Sequence, residues 1–547
     1  MASYSTHVDT FANDHLPPRE AWPELVFDLP ELEYPEHLNA AKALLDDMAE
    51  DDRGDRPCVH TDEGVWSYRN LLEKANCIAR VLVEDMELVP GNRVLLRAAN
   101  TPMLIAIWFG VLKAGGVVVT TMPLLRANEL ASIIDKAQIS HALADARLVE
   151  ELESAQADLP VLSNVMTFGS GGELEERMEA KPPSFETVDT AAEDVALIAP
   201  TSGTTGDPKG CIHFHRDILA VCDTFARHIL DPQPDEIFTG TPPLGFTFGL
   251  GGLVLFPMRF GASTLPIEQG GPEELLKAIE THRATTLFTA PTAYRALLDL
   301  GEEIDLSSLR KCVSAGEALP RATSEAWFER TGVRIVDGLG STEMLHIFIS
   351  AAGEDIRPGS TGRPVPGYRA MVADDNMQPL PAGEVGRLAI QGPTGCRYLA
   401  DPRQAEYVVD GWNVTGDAYE MDEDGYFWFQ ARTDDMILSA GYNIPGPEVE
   451  ATLMEHDSVD ECAVVAAPDE ERGQIAKAFV VLREETPGSA ELIEGLQEFV
   501  KSRIVPYKYP RAIEFVDALP KTSTGKIQRF RLREREFERA DAQGSAS

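Results

Sequence analysis

TSGTTGDPKG occupies residues 201–210, and two residues separate it from the preceding apolar run VALI at 195–198. A strand that ends in a glycine-rich loop offers backbone N–H groups and hydroxyls to polyphosphate oxygens. Glycine lets the backbone approach closely, and Lys209 supplies a positive charge. The common G-x-x-x-x-G-K-[ST] phosphate loop is excluded, because Asp207 and Pro208 separate glycine from lysine. The stretch therefore predicts a phosphate-binding loop, with a surface turn as the alternative.

The length and charge of the chain limit what it does. A chain of 547 residues is too long to fold around a single hydrophobic core, so its length predicts two or more domains. With 89 acidic and 48 basic residues, the net charge of −41 would repel nucleic acids and anionic membranes, so neither is expected as a partner. The acidic residues are spread along the chain, which predicts adaptation to high salt and a halophilic archaeal source. An ordinary acidic cytosolic enzyme is the alternative.

Cysteine usage and the N-terminus indicate the compartment. The seven cysteines are scattered without a C-x-x-C pair and predict reduced thiols in a cytoplasmic protein. The N-terminus has no basic region followed by an apolar one, so no signal peptide is expected. The most apolar stretch, 103–119, is interrupted by Lys113, Gly115 and Gly116. It predicts a buried helix, a glycine turn and a strand, and no membrane span.

Helical patterns alternate with short apolar runs from about residue 62 to residue 310. The patterns at 68–84 and 273–282 predict helices, and the runs at 93–96 and 286–289 predict strands. This alternation predicts a large, layered α/β domain. The polar break RTDD at 432–435 predicts the start of a smaller α+β domain, which places the domains at 1–432 and 433–547. A surface turn is the alternative for that break.

Further motifs carry side chains suited to nucleotide chemistry. GLGSTE at 338–343 follows an apolar run and ends in Thr342 and Glu343, and a carboxylate beside polyphosphate suits Mg²⁺. NVTGD at 413–417 ends in Asp417, whose two oxygens suit a bidentate acceptor. PKTSTGK at 520–526 repeats hydroxyls and glycine before Lys526. Each motif alone is also compatible with a solvated turn or a basic tail.

Taken in order, these motifs resemble those of the adenylate-forming superfamily, which comprises acyl-CoA and aryl-CoA synthetases, luciferases and peptide-synthetase adenylation domains. The resemblance covers nearly the whole chain, about residues 7–533. It implies a large α/β N-terminal domain that binds ATP and the acid, and a smaller mobile α+β C-terminal domain that carries the catalytic lysine. It also implies ATP, Mg²⁺ and coenzyme A as cofactors.

The resemblance implies a role for each matched residue. The catalytic residues are Lys526, Glu343 and Thr342, with Glu343 on the metal. The residues implied to contact phosphate are Thr201, Ser202, Gly203, Thr204, Thr205, Gly206 and Lys209. Those implied to contact the rest of the nucleotide are Gly316, Glu317, Ala318, Gly338, Leu339, Gly340, Ser341, Asp417 and Arg432. Asp417 and Arg432 are implied at the ribose, and Leu339 stands where many relatives have an aromatic residue on the adenine. The hinge is Asp434, and the coenzyme A tunnel is flanked by Gly441 and Tyr442.

The acid pocket follows from the same resemblance. Its implied lining is Phe246, Thr247, Phe248, Ala290, Gly316, Gly340, His346 and Ile347. PPLGFTFGL at 242–250 offers aromatic rings and no charge, so α-amino acids are not expected as substrates. His346 is equally compatible with a buried, hydrogen-bonded histidine. His213 and His215 lack a cysteine or carboxylate at zinc-ligand spacing, so no zinc site is expected there.

Shorter segments narrow the resemblance within the superfamily. SAGEALP at 314–320 and STEMLHIF at 341–348 resemble benzoate-CoA ligases. HVDTF at 7–11, HFHRD at 213–217 and GPTGCRY at 392–398 are similar to 2-aminobenzoate-CoA ligases. The resemblance therefore implies an AMP-forming ligase that joins an aromatic carboxylic acid to coenzyme A through an acyl adenylate. The alternatives are a ligase for an aryl-propionate or medium-chain fatty acid, and a non-catalytic nucleotide-binding protein with the same fold.

The expected partner is a small-molecule carboxylic acid. The sequence ends soon after Lys526, so free coenzyme A is the expected thiol and no carrier protein is expected. The sequence carries no signal for the oligomeric state.

Overall fold

The computed structural model describes residues 4–61, 63–157, 159–202, 208–268, 270–300, 304–432, 435–439, 442–469, 472–483, 486–521 and 527–544. The chain divides into two compact units, Met1–Ala370 with Ala389–Val414, and Met371–Leu388 with Thr415–Ser547. The predicted boundary at 432 concerns which part of the chain moves, and it stays a prediction.

One sheet of the first unit contains the phosphate-loop stretch. Its described strands, in spatial order, are Asn164–Phe168, His141–Asp145, Arg93–Arg97, Val117–Thr121, Val195–Ser202 and Pro208–Phe214. All neighbours are parallel except the last pair, which is antiparallel. RVLLR at 93–97 and VVVTT at 117–121 are buried at every residue, as expected for parallel strands that are covered on both faces. The strand predicted at 93–96 is confirmed.

The second large sheet contains the GLGSTE motif. Its described strands, in spatial order, are Arg363–Pro364, Ile347–Ser350, Ile335–Gly340, Lys311–Ala315, Thr286–Thr289, Ile237–Gly240, Ser263–Pro266, Pro57–Thr61 and Gly64–Ser67. The run from Ile335–Gly340 to Pro57–Thr61 is parallel, and the flanking strands are antiparallel. Carboxyl ends of parallel strands meet at one edge of a sheet, which is where ligands bind in such folds.

Helices cover these sheets, and local sequence signals start them. Ser67 caps Tyr68–Arg80, where its hydroxyl accepts from Asn70 N at 3.2 Å. Thr101 caps Pro102–Lys113, a helix buried from Leu104 onward. The predicted helix, glycine turn and strand at 103–119 are confirmed, since Gly115 has φ +75° and Val117–Thr121 follows. The predicted helix at 273–282 is Pro272–His282, and the predicted strand at 286–289 is Thr286–Thr289.

The other α-helices of the first unit are Phe11–Asp14, Asp47–Ala49, Ala127–Ala137, Val149–Gln156, Leu174–Glu179, His215–Val221, Thr247–Leu250, Phe256–Phe260, Pro291–Asp299, Arg321–Thr331 and Gln404–Tyr407. Its π-helical segments are Lys42–Asp46, Val81–Asp85, Cys222–Leu230 and Gly251–Leu255. Its 3-10 turns are Arg19–Ala21, Pro30–Leu32, Asp51–Asp55, Ala146–Leu148 and Gly353–Asp355. None of the described helices has the length and apolar character that crossing a bilayer requires.

A small antiparallel sheet leads into the second unit. Its strands are Arg369–Ala373, Val385–Gln391, Val408–Val409, Trp412–Met421 and Phe427–Arg432. The hairpin of Met436–Ser439 and Tyr442–Pro445 follows, and then a sheet of Val459–Asp469, Gly473–Leu482 and Ala512–Phe515. The remaining elements are Gly446–Met454, Ala490–Arg503, the 3-10 turn Pro506–Lys508 and Arg529–Gly544. Val464 and Val480 face a core shared with Leu453 and Leu496, while Phe479 faces Leu532 on the other side.

All seven cysteines are free thiols. Six are buried, and Cys77 is half-buried. Burial raises the pKa of the thiols of Cys58, Cys211, Cys222, Cys396 and Cys462, and raises that of Cys312 to about 12. These thiols therefore stay protonated at neutral pH.

Candidate functional site

The phosphate-loop stretch connects two antiparallel strands. Thr201 pairs with Lys209, and Ser202 pairs with Pro208. Gly203, Thr204, Thr205 and Gly206 lie outside the described residues. The flanking strands place Lys209, which is half-buried, at the mouth of the loop. The ends of the predicted loop are therefore fixed by the pairing of two strands, and its role in binding phosphate stays a prediction.

Lys209 and Glu343 both contact the hydroxyl of one tyrosine, Tyr398. Lys209 Nζ donates to the hydroxyl of Tyr398 at 3.2 Å and lies 4.8 Å from the centre of its ring. The same hydroxyl donates to Glu343 Oε1 at 2.5 Å. Burial, followed by the charge of Glu343, raises the pKa of Tyr398, so the phenol keeps its proton. Tyr398 was missed as a site residue by the sequence analysis, which used it only as part of a resemblance.

A buried histidine holds the turn next to Glu343. His213 Nε2 donates to the carbonyl oxygen of Thr342 at 2.8 Å. Burial lowers the pKa of His213 to about 4, so the ring is neutral at pH 7. Arg397 Nη1 and Asp217 Oδ2 form an ion pair at 2.7 Å, and both side chains are fully buried beside this histidine. The histidine therefore positions the backbone of Thr342.

Donor chemistry at this turn fits a magnesium ion bound together with phosphates. Glu343 and Thr342 offer oxygen atoms, which Mg²⁺ prefers, and one or two carboxylates suffice when substrate phosphates complete the shell. Within the part of the chain that the structure describes, no group of three or more His, Cys, Asp and Glu residues is placed to hold a metal by itself.

The glycines of GLGSTE lie within a strand. Ile335–Gly340 pairs with Ile347–Ser350, so the strand continues through Gly338, Leu339 and Gly340. A Cβ at Gly338 would lie 2.6 Å from Ile347 Cδ1, and one at Gly340 would lie 2.9 Å from the His346 carbonyl carbon. Glycine is therefore required by close approach. Ser341 Oγ lies 3.2 Å from the Tyr407 hydroxyl.

Asp337 was also missed by the sequence analysis. It stands one residue before Gly338, and its Oδ1 is buried without a hydrogen-bond partner among the described residues. Burial raises its pKa to about 8. On the adjacent strand, Lys311–Ala315 ends at Gly316, whose φ is +89°. Glu317 is half-buried, while Gly316 and Ala318 are exposed, so these residues line the same carboxyl edge of the sheet.

Three phenylalanine rings surround His346, and a fourth ring packs against one of them. Phe256, Phe225 and Phe248 lie at ring-centre distances of 4.5, 5.4 and 5.7 Å, and Phe288 lies 5.6 Å from Phe248. His346 is 2% exposed. Burial lowers its pKa to about 3, although a hydrogen bond with the backbone of Phe248 opposes the shift, so the ring is neutral. A role in lining the acid pocket and the alternative of a buried, hydrogen-bonded histidine therefore both stay open.

The other predicted pocket residues are placed differently. Phe246 is 36% exposed and is not part of the aromatic cluster. Thr247 starts the helix Thr247–Leu250 and is half-buried. Ala290 is half-buried at the start of Pro291–Asp299, and Ile347 is buried. The structure therefore brings Phe248 and His346 together, whereas Ile347 is buried near Gly338 and Phe246 lies towards solvent.

The second unit carries the predicted ribose residues. Asp417 lies in the middle of Trp412–Met421 and pairs with Arg432 across two strands. Arg432 Nη1 donates to Asp417 Oδ1 at 2.9 Å, and the Asp417 side chain is 10% exposed whereas that of Arg432 is 50% exposed. The alternative of a solvated turn is wrong for Asp417. Gly416 has φ +75°, and a Cβ there would lie 3.0 Å from Arg432 Nη2.

Lys526, Asp434 and Gly441 lie outside the described residues. Tyr442 is described only through its backbone, which pairs with Ser439. The roles implied for these residues stay predictions.

Comparison with models of protein families shows which family the chain belongs to. Residues 45–398 match the model of the AMP-binding enzyme, and residues 448–526 match that of the AMP-binding enzyme C-terminal domain. The chain belongs to the AMP-binding enzyme family. The predicted α/β fold class, with a large N-terminal and a smaller C-terminal domain, is thereby confirmed.

Individual members of the AMP-binding enzyme family match nearly the whole chain. A benzoate–CoA ligase of Thauera aromatica is 34% identical over 513 residues, which are 92% of this chain and 97% of the relative. A crystal structure of the anthranilate CoA ligase AuaEII with anthranoyl-AMP matches with a TM-score of 0.87 at 34% identity, over 94% of this chain and 100% of that chain. A benzoate CoA ligase from Burkholderia xenovorans LB400 matches with a TM-score of 0.82 at 33% identity, over 90% and 99%.

Proposed function

We propose that the protein joins an aromatic carboxylic acid to coenzyme A, converting ATP to AMP and pyrophosphate. The arrangement of Lys209, Tyr398 and Glu343 carries this proposal, because it holds a cation and an anion at one hydroxyl beside the phosphate-loop hairpin. Polyphosphate suits the ammonium, and its accompanying Mg²⁺ suits the carboxylate. The benzoate and anthranilate CoA ligases among the relatives support an aromatic acid as substrate.

In the first step, an oxygen of the acid carboxylate attacks the α-phosphorus of ATP. A P–O bond forms, the bond to the β-phosphate breaks, and pyrophosphate leaves. We assign phosphate binding to Lys209 and to the N–H and hydroxyl groups of 201–206, and stabilisation of charge between carboxylate and α-phosphate to Lys526. Glu343 would hold Mg²⁺, which would neutralise phosphate charge, and Thr342 would contact the phosphate.

The nucleotide is assigned to three further groups of residues. Asp417 is proposed to accept hydrogen bonds from the ribose hydroxyls, while Arg432 donates to its carboxylate. Gly316–Ala318 and Gly338–Ser341 are proposed to surround the base, as the resemblance implies. The buried, unpaired oxygen of Asp337 offers an acceptor beside Leu339 for an exocyclic amino group.

In the second step, the thiol of coenzyme A attacks the acyl carbonyl carbon, the C–S bond forms, and AMP leaves. We propose that the C-terminal domain reorients at Asp434 between the two steps, and that Gly441 and Tyr442 then flank the path of the thiol. These assignments rest on the matched motifs.

The acid is proposed to lie against Phe248, His346 and Ile347. The aromatic rings suit a benzoate ring, and the segment PPLGFTFGL at 242–250 carries no charged residue. The ring of His346 is neutral, so one of its two nitrogens is an acceptor, and we assign to it the ortho-amino N–H of the acid. We therefore propose 2-aminobenzoate as a preferred acid, alongside benzoate.

The acidic composition and free cysteines support a cytoplasmic enzyme adapted to high salt. Of the titratable residues, 89 are acidic and 48 are basic, and no disulfide joins any of the seven cysteines.

Pyrophosphate release with a panel of acids tests the proposal. Benzoate and 2-aminobenzoate should be activated in preference to 3-phenylpropionate and hexanoate, and far better than phenylalanine. A buried ammonium without a partner costs several kcal/mol, which corresponds to about 10²-fold or more in rate. Comparable turnover of phenylalanine and benzoate would contradict the pocket assignment, and preferred hexanoate would favour the medium-chain alternative.

A further inference from the structure

We infer that Tyr398 is a positioning residue that holds the carboxylate of Glu343 in the orientation that Mg²⁺ binding requires. The inference rests on the proposed function, in which Glu343 is a ligand of the metal. The sequence analysis used Tyr398 only as the last residue of GPTGCRY at 392–398 and assigned it no role.

The hydrogen bond from Tyr398 acts on one oxygen of Glu343. The hydroxyl donates to Oε1 at 2.5 Å. An ionised carboxylate has about four acceptor sites, so this bond fixes the rotation of the group and leaves acceptor capacity for a cation. A half-buried glutamate on a turn otherwise loses rotamer freedom when a metal binds. A donor that pre-sets the rotamer reduces that loss.

The backbone of Tyr398 is itself fixed to the phosphate-loop hairpin. Ile212 N donates to Arg397 O at 2.8 Å, and Leu399 N donates to Gly210 O at 2.8 Å. The segment of Arg397, Tyr398 and Leu399 therefore lies beside Pro208–Phe214 as an additional paired segment. Cys211 forms an isolated bridge with Tyr398. The loop lysine and the tyrosine thus move as one element.

Side-chain packing removes the remaining freedom of Tyr398. The residue is 0% exposed, and its backbone N donates to Gln404 Oε1 at 2.9 Å. The adjacent Arg397 is fully buried, paired with Asp217 and stacked 4.3 Å from the ring centre of Phe214. A hydroxyl on such a rigid support holds its acceptor without paying further ordering entropy.

Opposite charges explain why a tyrosine suits this position. Its hydroxyl accepts from the Lys209 ammonium and donates to the Glu343 carboxylate, so it satisfies both groups before the nucleotide arrives. When polyphosphate engages Lys209, the donor bond to Glu343 remains. Phenylalanine keeps the ring and its packing but removes both bonds.

Calorimetric binding of α,β-methylene-ATP tests this inference without turnover. The quantity compared is the Mg²⁺ factor, which is the Kd of the analogue in EDTA divided by its Kd in the presence of Mg²⁺. Tyr398→Phe should reduce this factor by about 10-fold, as expected for the loss of one hydrogen bond to a charged group, while AMP binding without metal stays within about 2-fold. Retained AMP binding also shows that the variant is folded.

Tyr68→Phe is the matched control. Tyr68 is 0% exposed, and its hydroxyl donates to Ala262 O at 2.6 Å, so this change also deletes one buried phenolic oxygen. It should leave the Mg²⁺ factor unchanged. If both variants reduce the factor equally, Tyr398 acts only through stability and the inference is overturned.

A double-mutant cycle shows whether Tyr398 acts through Glu343. In a Glu343→Gln background, adding Tyr398→Phe should have no further effect on the Mg²⁺ factor. A full additional loss in that background, or an unchanged factor in Tyr398→Phe alone, would overturn the inference. Failure of the unmodified protein to bind the ATP analogue would instead overturn the proposed function.

Discussion

Gly251→Ala moves one methyl group into the wall of the proposed acid pocket. Gly251 has φ −60°, which alanine adopts freely, so the backbone does not oppose the change. The new Cβ would lie 2.3 Å from His346 Cδ2 and 2.7 Å from its Nε2. Since Phe225, Phe248 and Phe256 enclose the ring, His346 has to shift within a packed cluster. Overpacking of this kind costs about 1–3 kcal/mol.

If this cost appears in acid activation, kcat/KM for the acid falls by about 5- to 150-fold. Steady-state pyrophosphate release, with benzoate, 2-aminobenzoate and ATP varied separately, measures it. The loss should be larger for 2-aminobenzoate, because the displaced ring no longer offers its acceptor, and the KM for ATP should stay within about 2-fold. An equal loss for ATP and acid, or unchanged acid kinetics, would refute the placement of His346 in the pocket.

Gly495→Ala is the matched control for this substitution. Gly495 lies in the helix Ala490–Arg503, and a Cβ there would meet nothing within 4 Å. It should raise the free energy of unfolding by about 0.4–1 kcal/mol and leave the kinetics unchanged.

The remaining predictions concern catalysis, nucleotide binding, pH and salt. Lys526→Ala should slow adenylate formation by roughly 10²- to 10³-fold and affect thioester formation from supplied acyl adenylate much less, in separate half-reaction assays. Asp417→Asn removes the charged acceptor of Arg432 and should raise the Kd of AMP by about 10-fold in calorimetry. Burial lowers the pKa of His213 to about 4. The contribution of His213 to the free energy of unfolding should therefore be complete above about pH 6.5 and decrease as the pH drops towards 4. In urea titrations, His213→Gln should make this decrease smaller. Lowering KCl from about 1 M to about 0.1 M should lower the unfolding temperature, because the excess of acidic residues is then screened less.

Each of these expectations has a contrary outcome. Equal losses in both half-reactions would remove the role of Lys526 in adenylation, and unchanged AMP affinity would remove the ribose role of Asp417. An identical pH profile for His213→Gln would locate the acid sensitivity in other groups. An unfolding temperature that does not respond to salt would contradict adaptation to high salt.

Local elements of the fold followed from the sequence because their signals are local. The apolar runs at 93–96 and 286–289 form buried parallel strands, and the interruption by Gly115 marks the turn between a helix and a strand. The length of the chain was enough to predict more than one domain, and the alternation of helical patterns with apolar runs was enough to predict the α/β class. The motif that contains Gly338 and Gly340 was also compatible with a turn. Both glycines lie within a strand, because pairing with Ile347–Ser350 outweighs their low strand propensity.

The site was predictable where a motif carries its own spacing. Lys209 and Glu343 were found in this way. Tyr398 was not, since it meets Glu343 across 55 residues and Lys209 across 189, and no local pattern reports such pairings. The same holds for Asp337, whose raised pKa arises from burial by distant segments.

The buried thiols have a consequence for an enzyme that handles coenzyme A. Thiol–disulfide exchange needs a thiolate that a second sulfur can reach, and burial denies both to six of the seven cysteines. Oxidised coenzyme A, which accumulates whenever the free thiol is exposed to oxygen, therefore finds only Cys77 at a half-buried position. We therefore expect Cys77 to be the first thiol that the disulfide form of coenzyme A modifies.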